Sequence, residues 1–138
     1  MVTTPQVRDR IRKEILESGR DRRYGLEAYA FVLSGMEFCR AKTGERRHVT
    51  GRELSHALAE FAAKQFGPMS WHVLQSWGIS TTDDFGYIVY NMIDIQILRK
   101  QESDNLKDFF GVLDLPGYYS RQGCYTIDRR RIRDIEGA

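Results

Sequence analysis

The chain has 138 residues, 41% of them hydrophobic and 29% charged, which is the balance of one globular domain rather than a disordered tail. No run approaches the ~20 apolar residues that span a bilayer, and the start of the chain lacks the apolar stretch of a secretory signal. Two cysteines, Cys39 and Cys124, are too few for a disulfide-built scaffold and read as thiols in a reducing cytoplasm.

The first predicted helix runs from about Pro5 to Ser18, with Val7, Ile11 and Ile15 at helical spacing and Gly19 as its stop. A second spans Leu26 to Cys39, where Tyr29, Val32, Leu33 and Met36 recur every three or four positions. Gly35 lies inside it and weakens an exposed helix by ~1 kcal/mol relative to Ala, for which a close helix crossing is the natural compensation. Residues 40–49 read as a loop or short turn. Thr50-Gly51-Arg52-Glu53 has the form of a capping box and starts a third helix, which Gly67-Pro68 stops.

A short fourth helix follows over Met69 to Trp77, with Val73, Leu74 and Trp77 inward and Trp71, His72, Gln75 and Ser76 outward. Helices three and four together have a weak helix-turn-helix outline. Ser80-Thr81-Thr82 supplies caps, and Asp83 and Asp84 fall in the first turn of the next helix, where the dipole favours acids. From Phe85 to Leu98 the 85-88-89-92-93 spacing predicts a central buried helix that organises the fold, with the capped helix packed against it. Residues 97–115 form either a short helix or a small hairpin, which would give a winged-helix-like outline. Pro116-Gly117 reads as a break, and residues 126–138 as a basic tail. The expected architecture is a mainly α, compact single domain over 1–138, with its core in about 7–120.

Charge is uneven although the net is only +2. Residues 1–52 hold 12 Lys/Arg against 7 Asp/Glu, residues 53–120 hold 4 against 9, and the remainder 5 against 3. Such polarity either steers an acidic partner or matches the chain's own two halves.

The strings Arg47-His48-Val49-Thr50-Gly51-Arg52-Glu53-Leu54, Phe66-Gly67-Pro68-Met69, Trp77-Gly78-Ile79 and Asp84-Phe85-Gly86 with Ile88-Val89 and Asn91 form an ordered set over about 15–115. Together with Ala28-Tyr29-Ala30-Phe31-Val32 they resemble a small conserved family of bacterial proteins to which no reaction is assigned. The family usually reads Asp-Pro-Arg-Tyr where this chain has Asp21-Arg22-Arg23-Tyr24, and often has Gly where this chain has Gln96. The resemblance implies a cytoplasmic bacterial protein and supplies no catalytic residue.

Reactive groups are sparse. His48 and His56 lie eight apart without a dense metal-ligand spacing. Adjacent Asp83 and Asp84 diverge on a helix, and Asp84-Phe85-Gly86 lacks the other parts of a kinase. No phosphate-binding loop, dinucleotide fingerprint, zinc-protease helix or nucleophile elbow is present. No catalytic residue, metal site or cofactor is therefore expected, and an enzyme with a composite site ranks last. The leading expectation is a non-enzymatic protein-interaction module acting through Arg23, Arg47, His48, Arg52 and Trp71. These arginines also suit an anion, which makes a nucleic-acid or ribosome-associated role the alternative.

Overall fold

The computed structural model describes residues 4–43, 49–101 and 104–121. Helix α1 (Pro5–Ile11) is started by Thr4, whose hydroxyl accepts from the Val7 amide at 3.2 Å, and it continues as a π-helical stretch over Arg12–Glu17. Gly19, with φ at +77°, ends it. Helix α2 (Leu26–Thr43) runs further than its apolar spacing predicts. Helix α3 (Gly51–Phe66) opens on the expected capping box, with Thr50 and Glu53 each accepting from the other's amide at 3.1 Å. A 3-10 turn over Gly67–Met69 leads into α4 (Ser70–Ser76), followed by α5 (Thr82–Asp94), a 3-10 helix over Leu106–Phe109, and α6 (Leu115–Arg121). Among the described residues there is no strand, and no helix is long and apolar enough to cross a membrane.

The fold is thus mainly α-helical, as the periodicities predict. Of the two forms left open for residues 97–115, the short helix is the one found, as the 3-10 helix over Leu106–Phe109, with no strand among the described residues there. Two local differences remain. Pro116 and Gly117 lie in the first turn of α6 instead of breaking the chain. A proline there has no intrahelical bond to lose. The second difference concerns α5, which ends at Asp94 rather than Leu98. Gln96 then takes a φ of +65°, a left-handed conformation that costs a side-chain-bearing residue about 1–2 kcal/mol.

Helices α2 and α5 supply much of the core. Ala28, Tyr29, Phe31, Val32 and Cys39 of α2, and Phe85, Ile88, Val89 and Met92 of α5, are buried. The main partner of α3 is α2, not α5. Gly35 lies at that crossing: a Cβ there would lie 2.2 Å from Leu58 Cδ2, so the Leu58 side chain packs into the space the glycine leaves. Phe109 is seated in the same way between two helices. A Cβ on Gly51 would meet its ring at 2.9 Å, and one on Gly86 would meet its Cβ at 2.8 Å.

The 3-10 helix is also tied down at its end. Thr82 Oγ1 donates to the Phe109 carbonyl at 2.7 Å and accepts from the Val112 amide at 3.1 Å, while Asp83 accepts from the Gly111 amide at 3.0 Å. Gly86→Ala improves intrinsic helix propensity by about 1 kcal/mol, yet it drives a methyl group into Phe109 in a packed interior. Such overpacking costs about 1–3 kcal/mol. Urea unfolding is therefore expected to show a net loss of up to about 2 kcal/mol for this variant; a gain would mean that the Phe109 seat has slack.

Candidate functional site

The residues singled out from the sequence do not gather in one place. Arg47, His48 and the tail over 126–138 lie outside the described residues. Arg52 is exposed on the first turn of α3. Trp71 is buried, at 8% exposure, and stacks on Tyr119 with ring centroids 6.4 Å apart. Of the outward face predicted for α4, His72, Gln75 and Ser76 are exposed, but α6 packs over Trp71, so Trp71 is a core residue and not an exposed anchor. His56 and His72 are exposed, in line with surface roles.

Arg23 has a structural partner. Its Nε and a terminal nitrogen donate to the two oxygens of Asp21 at 3.0 and 2.7 Å, and its guanidinium lies 4.3 Å from the Tyr87 ring centroid. Asp21 also accepts from the Arg23 amide at 3.0 Å and from Asn91 at 2.8 Å, and Asn91 in turn donates to the Tyr29 hydroxyl at 3.1 Å. Next to this group, the Tyr24 hydroxyl donates to Asp84, whose other oxygen accepts from the Ser80 and Thr81 amides. The result is a polar latch between the turn after α1 and the face of α5.

Burial works against ionisation of Asp21, but the hydrogen bonds from the Arg23 side chain, the Arg23 amide and Asn91 outweigh it and hold the carboxyl at about 2. The folded-state value lies below the unfolded value, so the latch stabilises the fold fully above about pH 4 and is lost as pH falls through 2. Acid unfolding should accordingly be steep in that window, and Asp21→Asn should flatten it there. An unchanged acid limb in that variant would assign the transition to other carboxylates.

Several other arginines of the basic half are similarly engaged. Arg8 meets Glu27 at 2.8 Å, Arg10 meets Glu14 at 2.7 Å, Arg20 meets Asp94 at 3.5 Å and Arg40 meets Glu37 at 3.0 Å. Arg10 also donates to the Ile95 carbonyl at the end of α5. Each exposed pair contributes only about 0.2–1 kcal/mol, and together they set part of the basic half against the chain's own acids.

A concave site lies elsewhere, in a cleft of about 470 Å³ bounded by α2, α3, α5 and the 3-10 helix. Met36, Leu54, Val89, Ile93 and Phe109 give it an apolar lining, while Arg40, Arg99, Asp104 and Asp108 stand on its rim. Its volume and mixed lining are those of a small-ligand site. Val49 and Gly51, which border it, flank the capped start of α3, so one end of the expected motif region reaches this cleft.

Tyr90 also lines the cleft, and among the described residues its hydroxyl is out of contact with solvent and has no hydrogen-bond partner. Burial, then the carboxylates of Asp104 and Asp108, push the phenol pKa up, so the group stays protonated and neutral. An unpartnered buried hydroxyl costs about 1–3 kcal/mol. Tyr90→Phe is therefore expected to leave thermal stability unchanged or raise it by about 1 kcal/mol. A clear drop would reveal a partner for the hydroxyl.

Among the described residues no three His, Cys, Asp or Glu side chains are grouped to hold a metal ion. Comparison with known protein families, with curated proteins and with solved structures finds no match for this chain. Function therefore has to be argued from the cleft and the latch. Sequence patterning missed Arg99, Tyr90 and Asp108, because a cleft wall is shared by segments distant in the chain and none of them carries a motif for it.

Proposed function

We propose that this chain is a non-enzymatic binding module whose ligand or partner segment seats in the cleft between α2, α3 and α5. The observation that carries the reading is the pre-formed hollow of about 470 Å³ with its mixed apolar and polar lining, walled by the clamped 3-10 helix. A rigid wall lowers the ordering cost of binding. The pairing of Arg8, Arg10, Arg20, Arg23 and Arg40 with carboxylates supports a partly self-compensated basic half. The nucleic-acid or ribosome-associated alternative rests on Arg52, which is exposed, and on Arg47 and the tail outside the described residues. Membership of the resembled bacterial family, and with it a cytoplasmic setting, belongs to the same proposal and rests on the motif strings alone.

Site-specific photo-crosslinking in cells tests this reading. A photoreactive residue at Leu98, which lines the cleft, should give a discrete adduct by mass spectrometry, whereas one at exposed Glu17 should not. Adducts at Glu17 alone, or none at either position, would refute the cleft as the binding surface.

A further inference from the structure

The rim of the cleft carries four charged side chains, two of which are already engaged. Arg40 donates to Glu37 at 3.0 Å, and Asp104 accepts from the Gln101 amide at 2.7 Å. Arg99 and Asp108 make no side-chain hydrogen bond or ion pair with the described residues. Their backbone settings differ. The Asp108 backbone is fixed by its amide bond to the Asn105 carbonyl at 2.9 Å and by the seating of its neighbour Phe109. Arg99 lies on the exposed connection after α5 and has a long side chain to place.

One uncommitted carboxylate on a fixed wall, one uncommitted guanidinium opposite in sign, and an apolar lining between the cleft's helices define a chemical complement. Resting on the cleft reading above, we infer that the ligand is a small zwitterionic amphiphile of the apolar amino-acid type. Its ammonium group pairs with Asp108, its carboxylate with Arg99, and its apolar body lies on Met36, Leu54 and Ile93. A purely anionic ligand would leave Asp108 facing it with like charge, and a purely cationic one would do the same at Arg99. A guanidinium fork suits a carboxylate geometrically, and an ammonium suits a carboxylate as a point charge.

Three probes with the same ring separate these cases: L-phenylalanine with both charges, phenethylamine with the cation alone, and hydrocinnamate with the anion alone. Each is titrated into the intact protein at millimolar concentration, and the amide shifts of Gly51, Ile93 and Asp108 are followed by NMR. L-Phenylalanine should bind about fivefold more tightly than either singly charged probe, the ratio expected of an exposed pair worth about 1 kcal/mol. Asp108→Asn should erase its advantage over hydrocinnamate, and Arg99→Gln its advantage over phenethylamine; both residues are exposed, so both variants should fold. Equal binding of all three probes, or tighter binding of a singly charged one, overturns the zwitterion while the cleft still binds. If no probe moves the cleft amides the inference also fails, and crosslinking at Leu98 then decides whether the cleft itself is a binding surface.

Discussion

The structure depends most on Phe109 being held against two glycines from different helices. Gly51 opens α3 and Gly86 lies in the first half of α5, and a β-carbon on either would occupy space the aromatic ring and its Cβ already fill. Because Thr82 fixes the same residue's carbonyl, the 3-10 helix cannot slide along α5 without breaking a buried hydrogen bond. This seat gives the cleft a wall. It also explains the glycine of the Asp84-Phe85-Gly86 triplet by packing alone, with no catalytic chemistry.

A second constraint is electrostatic and local. The uneven charge along the chain suggests an outward-facing basic half, but folding turns part of that charge back onto the molecule. Asp21 draws in Arg23 and Asn91, and Asp84 draws in Tyr24, so the turn after α1 is tied to α5 by charge-assisted bonds in addition to the packing of Tyr24 in the core. With Asp21 largely buried, the group is satisfied on several sides, as a buried carboxylate must be.

Helix starts and stops were the most legible part of the fold, because each is written in a few adjacent residues. The Thr50 cap, the Gly19 and Gly67 ends and the acidic first turn of α5 follow from local hydrogen bonding and backbone freedom. Gly35 signalled a close crossing without naming its partner, Leu58, since that contact joins different helices. Trp71 was misjudged for the same reason: helical spacing gives the faces of α4 but not the arrival of α6, whose Tyr119 covers the indole. The cleft was the least legible feature. Its lining comes from four segments, and its unpaired charges are defined only by which other charges found partners.

Gln96 bears on how much slack the fold carries. A globular domain of ordinary size is stable by only about 5–15 kcal/mol, and a glutamine held at φ +65° takes up a measurable part of that margin. Glycine adopts that conformation without the penalty, and the Gln96 side chain is exposed, so its loss would open no gap in the core. The turn after α5 is thus a strained joint that the domain closes around because its other contacts outweigh it.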